Sequence, residues 1–160
     1  MHPIAMSALL ALQGFHVLFL ALHDWIPLGR LNDTEAVRAG NPFHKLIAGT
    51  LISVPPFVIG LGASAIYFGR TYPGWLIWWL WISYGLLFIG ELEAWWFPYL
   101  FHPEPQRAAR YQAMFGATHA FLPERNGIRL NTLHIILHTA TLTTLVLLGA
   151  LTALHAWPNT

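Results

Sequence analysis

The sequence predicts an all-α integral membrane protein, a four-helix bundle with a short interfacial helix between its third and fourth spans. Three observations predict it. Of 160 residues, 56% are apolar and 9% are charged, against about 25% charged in an ordinary soluble domain. A soluble chain of this length has too much surface to cover with so few charges. Four apolar runs each reach the roughly 20 residues that a spanning helix needs. Aromatic residues bracket the third run at both ends, as they do where a helix meets both membrane interfaces.

The first span is 4–26. No Lys or Arg precedes it, and the His23-Asp24-Trp25 that follows is no small-residue cleavage site. Both features predict a retained helix rather than a signal peptide. A polar loop over 27–42 carries Gly29, Asn32, Asp33, Gly40 and Asn41, with one helical turn at 33–38. The second span is 43–69. Its Pro55-Pro56 pair removes two N–H donors and frees the carbonyls of Leu51 and Ile52. A kink is predicted there, with the freed groups facing protein or water. Gly49, Ser53, Gly60 and Ser64 supply small residues for close helix contact.

A tight loop, Arg70-Thr71-Tyr72-Pro73-Gly74, leads to the third span, 75–101. Trp75, Trp78, Trp79 and Trp81 mark one interface; Trp95, Trp96 and Tyr99 mark the other. In the polar stretch 102–131, residues 105–115 read as a helix with Gly116 as its C-cap. Tyr111, Met114, Phe115 and Thr118 share one face of it, the pattern of a helix lying on a membrane surface. Residues 123–127 carry a turn signal. Asn131 or Thr132 caps the fourth span, 132–155. The whole chain, 1–160, reads as one multi-pass domain.

Charge sets the orientation. Arg30, Arg38, Lys45, Arg107, Arg110, Arg125 and Arg129 fall on one side of the membrane, and Arg70 alone on the other. The positive-inside rule puts loops 27–42 and 102–131 in the cytoplasm and both termini outside, with the plasma membrane as the expected location. The absence of cysteine removes disulfides, thiolate zinc sites and iron–sulfur clusters. A net charge of +1 with no basic patch gives no footprint for nucleic acid.

Nine histidines call for a reason. His16, His23, His44, His102, His119, His134 and His138 all fall in the cytoplasmic half of the bundle or at its edge, leaving out only His2 and His155. His16, Glu91 and His138 lie roughly 10–15 Å deep at about 1.5 Å per residue. Tyr84, Glu91, Trp95 and His102 share one stripe of the third span. His134, His138 and Thr141 share one stripe of the fourth, and His16 and His23 one of the first. Such stripes face the bundle interior, because polar groups facing lipid are costly.

A metal centre is the leading expectation. His16, Glu91, His134 and His138 would supply imidazole and carboxylate ligands suited to iron or zinc, with manganese also compatible. Glu91, His119 and Glu124 are the candidate catalytic groups. His119 and Glu124 would orient ligands or sit on a lid formed by the 121–127 stretch. Tyr84, Trp95, Pro55 and Pro56 would shape a pocket for an apolar or lipid-like substrate. The plain alternative is that interface histidines only cap helices and hydrogen-bond across them.

Other functions fit the same residues. A metal-free pair of Glu91 and a neighbouring His would move protons and shift a double bond in a sterol or isoprenoid, beneath a Trp wall able to hold a cation. Haem would take His16 and His138 as axial ligands inside the bundle. A small accessory subunit would need a partner helix in a membrane complex, and a homo-oligomer is equally compatible. Membrane lipids are the partners in every case.

Overall fold

The computed structural model describes residues 3–156, with side chains described for 3–153. His2 and the side chain of His155 fall outside that range. The chain is all-helical, and four of its helices are long and apolar enough to cross a membrane. They are α1 (Pro3–Leu22), α3 (Phe43–Ile66), the α4 segment (Gly74–Glu91) with its continuation, and α7 (Thr132–Ala156). Each of the four touches two others, in the ring α1–α3–α4–α7. Side chains such as Leu51, Ile52, Ile82, Leu86 and Val146 stay exposed around the outside, as lipid-facing residues of a bundle do.

α1 ends four residues before the sequence predicts. Asn32 is the cause. Its Nδ2 donates to the carbonyls of His23 and Ile26, and its Oδ1 accepts from the N–H of Leu28. One side chain thereby pairs backbone groups of the turn that follows α1, and the chain turns off the axis ahead of Pro27. The loop then forms a 3₁₀ turn, Gly29–Leu31, and a short helix α2, Thr34–Gly40, capped by Asp33 Oδ1 at the N–H of Ala36.

α3 runs unbroken through Pro55 and Pro56. Of the predicted small-residue stripe, the C-terminal half, Gly60 and Ser64, makes close contacts. A Cβ on Gly60 would meet Leu80 of α4 at 3.0 Å, and Ser64 accepts from Gln13 of α1. Gly49 faces open space.

The third span is not one α-helix. After α4 comes a π turn, Leu92–Trp96, and then α5, Phe97–Leu100. Pro98 accounts for it. Having no N–H, Pro98 cannot bond the carbonyl of Ala94, and its ring crowds the preceding turn. The N–H of Phe97 reaches back to Leu92 instead of Glu93, the wider step of a π turn. Two carbonyls are left over, and α6 (Pro105–Phe115) takes both. Arg107 Nη1 donates to Glu93 O at 2.7 Å, and Tyr111 OH donates to Ala94 O at 3.1 Å. Burial pushes the Tyr111 phenol above its ordinary range, which keeps it a donor.

α6 has the bounds the sequence predicts, and Tyr111, Met114 and Thr118 are buried as expected. Their cover is protein. Trp95, Tyr99, Val37, Ile128 and Leu130 pack with them in a second core at one end of the bundle. The turn after α6 is a tight Asn126-Gly127 pair, both with positive φ (53° and 73°), closed by paired Arg125–Ile128 backbone bonds. Asn and Gly are the residues that tolerate this mirror-image turn. The structure pins it: Asn126 Nδ2 donates to Pro98 O and Tyr99 O, and Tyr99 OH donates to Pro123 O.

Candidate functional site

The inner faces of the four helices are mostly apolar, and their buried polar groups include one set that joins three helices. On α1, residues Met6, Leu9, Gln13, His16 and Leu20 repeat every three or four positions and are buried. On α4 the same spacing buries Leu76, Leu80, Tyr84 and Glu91. On α7 it buries Leu137, His138, Thr141 and Thr144. His16, Thr141 and Glu91 meet where these faces converge.

Their hydrogen bonds have a direction. His16 Nδ1 lies 2.6 Å from the carbonyl oxygen of Leu12. A carbonyl only accepts, so Nδ1 carries a proton. His16 Nε2 lies 3.0 Å from Thr141 Oγ1, which lies 2.8 Å from Glu91 Oε1. Thr141 has one hydroxyl proton for the two contacts. Two arrangements satisfy both. In one, a Glu91 carboxylic acid donates to Thr141, which donates to a neutral His16. In the other, a His16 imidazolium donates to Thr141, which donates to a Glu91 carboxylate. Both carry no net charge, and they differ by one proton passed through the threonine. The Leu137 carbonyl, 3.1 Å from Thr141 Oγ1, is the in-helix partner that a buried threonine ordinarily uses.

His138 stands one turn before Thr141. Its Nδ1 accepts from Trp96 Nε1 at 3.0 Å. An indole N–H only donates, so this Nδ1 is bare and a neutral His138 carries its proton on Nε2. That Nε2 has no partner, and neither has Glu91 Oε2, although both side chains are buried. Tyr84 OH and Gln13 Oε1 are the other unpartnered buried polar atoms among the described residues. Tyr84 stands edge-on to His16 with 5.0 Å between ring centres, and Phe57 lies parallel to the His16 ring at 6.3 Å.

A groove of about 520 Å³ opens between α3 and α4 on the outside of the bundle. Ser53, Pro56, Phe57, Trp79, Ser83 and Leu87 line it. Phe57 lines it, and the rings of Tyr84 and His16 pack near that of Phe57, at 5.1 and 6.3 Å between ring centres. Trp79 Nε1 donates to Pro56 O, tying the two walls together.

The expected metal ligands do not form a ligand set. Both nitrogens of His16 are engaged with Leu12 and Thr141. His138 presents an N–H rather than a lone pair. His134 lies in the layer beyond, its ring 4.4 Å from Trp95 and 5.2 Å from Phe115, with Nδ1 bonded to Asn131 Oδ1 at 2.6 Å. Among the described residues no three His, Asp or Glu side chains come together to hold an ion. As the expected axial pair for haem, His16 and His138 turn their bonded nitrogens to Thr141 and Trp96 instead.

Other expected residues are also displaced. His119 is exposed at the start of α7, where Nδ1 meets Thr132 Oγ1 at 2.7 Å. Glu124 is exposed and makes no ion pair among the described residues. Arg129 donates to Gly116 O. Trp95 belongs to the second core and Pro55 is exposed; of the predicted pocket residues Pro56 lines the groove, and Tyr84 packs against its Phe57. Trp96 and Phe57 carry roles that sequence reading assigned to membrane anchoring and to nothing in particular.

No known family model, curated protein or solved structure matches this chain.

Proposed function

We propose that this chain is an integral-membrane acid–base enzyme, an isomerase that takes a proton from an apolar substrate and returns one to it. One observation carries the reading: the His16–Thr141–Glu91 relay ends on an unpartnered, buried carboxylate oxygen. A general base needs a lone pair free to meet substrate. Glu91 Oε2 offers one. It also needs its charge held in a medium that tolerates no lone ion. The His16 imidazolium supplies the counter-charge through Thr141 without covering the reactive oxygen.

The groove between α3 and α4 supports an apolar substrate. Its walls are largely apolar, it is open on the lipid side, and its volume falls in the usual range for small-molecule sites. Leu87, one turn before Glu91, lines it. A rotation of Phe57 would join the groove to the buried polar set. Membrane lipid is thus both surroundings and reservoir of substrate. The location we propose is the plasma membrane, with loops 27–42 and 102–131 in the cytoplasm, and the Lys and Arg distribution supports that orientation.

The test is proton exchange. Purified protein in lipid nanodiscs is incubated in D₂O with membrane lipid extracts, and the lipids are analysed by mass spectrometry. The expected result is a lipid that gains deuterium and interconverts with an isomer of equal mass, with both effects lost in Glu91→Gln. Wild-type protein that labels and isomerises no lipid would overturn the proposal.

A further inference from the structure

The unused donor of His138, one helical turn from the Thr141 that holds Glu91, identifies the kind of molecule that the site takes. We infer that the substrate is an apolar ketone with a carbon–carbon double bond near the carbonyl, and that His138 Nε2–H receives the carbonyl oxygen while Glu91 Oε2 takes the proton. The inference rests on the acid–base reading above and extends it to substrate class.

The argument starts from the tautomer. Trp96 fixes the proton of neutral His138 on Nε2. The result is an N–H donor, 4% exposed on a residue basis, with nothing to donate to. Buried donors of this kind are rare and costly. The complement of an N–H is an acceptor oxygen. A carboxylate or phosphate would bring a second negative charge beside Glu91, which a low-dielectric interior resists. Hydrocarbons offer no acceptor. An alcohol offers one, yet gives the electrons of a broken C–H bond nowhere to go. A carbonyl accepts the hydrogen bond and also stores those electrons.

The step balances without any further reactant. The C–H bond next to the carbonyl breaks and its proton goes to Glu91 Oε2. The bonding pair becomes a new C=C, and the carbonyl π pair moves onto oxygen. That enolate oxygen stays bonded to His138 Nε2–H, a fixed dipole aimed where charge develops. Return of a proton from Glu91, after exchange with water while the dienolate is bound, to the far carbon of the dienolate restores the ketone, with its double bond moved. The His16 imidazolium is present throughout, so carboxylate and enolate each face one positive charge in turn. The site never holds an unbalanced charge.

The experiment uses a long-chain unsaturated ketone carrying ¹³C at the carbonyl, added to the full-length protein in nanodiscs. Isotope-edited infrared spectra report its C=O stretch, and mass spectrometry of the same samples in D₂O reports exchange. The expected spectrum has a bound C=O band moved to lower frequency, lost in His138→Phe and retained in Glu91→Gln. The matching hydrocarbon is expected to bind about tenfold more weakly than the ketone, which is about 1.4 kcal/mol. An unshifted C=O band in wild type, or equal binding of ketone and hydrocarbon, would overturn the inference without need of any variant. Deuterium exchange into other lipids with an unshifted band would leave the acid–base reading standing and remove the ketone. A shifted band with no exchange in any lipid would remove the acid–base reading and the substrate assignment with it, leaving only ketone binding at His138.

Discussion

Thr141 is the residue on which the site turns, and its replacement gives the clearest single-residue outcome. Thr141→Val keeps the shape and removes the hydroxyl, so His16 Nε2 and Glu91 Oε1 lose their shared partner. Each buried polar group left unpaired costs about 1–3 kcal/mol. Proton exchange should fall on the order of 100-fold, the low end of what a positioned acid or base contributes. Thr141→Ser should restore most of both, because it returns the hydroxyl and omits only a methyl. Thermal unfolding and the D₂O assay measure the two effects, and a Thr141→Val protein that exchanges like wild type would remove the relay. His16 and Glu91 were legible in the sequence, because ionisable residues inside an apolar span demand a reason. Thr141 was visible only as a neighbour on the His138 stripe, since a threonine in a membrane helix ordinarily bonds its own backbone. His134 shows the limit of face arithmetic. It shares a stripe with His138, but four residues of helix rise about 6 Å, enough to put it in the aromatic layer with Trp95 rather than beside Glu91.

At the scale of the element, hydropathy located all four spans and amphipathic spacing located α6, because burial in lipid or against a core acts on many residues at once. What it missed are single-residue events: Asn32 ending α1 and Pro98 opening the π turn. Pro98 was in plain view, though a proline near a helix end reads as an ordinary stop signal. The consequence reaches the site. The π turn sets the rotation of Trp96 relative to Glu91, and thereby the Trp96–His138 bond. It also frees the two carbonyls that hold α6. Pro98→Ala supplies an N–H that competes for Ala94 O. Amide hydrogen exchange across 105–115 should then quicken, with a loss of catalytic proton exchange in the same protein. Unchanged protection of α6 would show that Pro98 does not maintain the turn. By the same logic the 121–127 stretch, expected as a lid, is tied to α5 by three side-chain bonds, from Asn126 Nδ2 to Pro98 O and Tyr99 O and from Tyr99 OH to Pro123 O; it braces the third span.

The whole molecule divides into two cores stacked along the bundle. One is the helix interior around Tyr84, Leu80 and Leu137; the other is the aromatic layer of Trp95, Tyr111 and Met114. The polar set sits near their junction, with Glu91 the last residue before the π turn and His138 between the Leu137 and Trp96 sides. The layer of α2, α6 and the 116–131 segment covers one end only, and that end carries seven of the eight Lys and Arg side chains. The asymmetry of charge and the asymmetry of cover thus coincide, so one topology measurement tests both. The chain has no cysteine, which makes single introduced cysteines clean reporters. In intact cells, Arg70→Cys, in the loop between α3 and α4, should react with a membrane-impermeant maleimide. Arg125→Cys, exposed in the turn that braces α5, should react only after the membrane is permeabilised. The opposite pattern would place the aromatic layer outside the cell and invert the positive-inside assignment. Glu91 would then exchange its protons nearer the external face. Labelling of both positions in intact cells would require mixed insertion, which a seven-to-one bias of cationic residues strongly opposes.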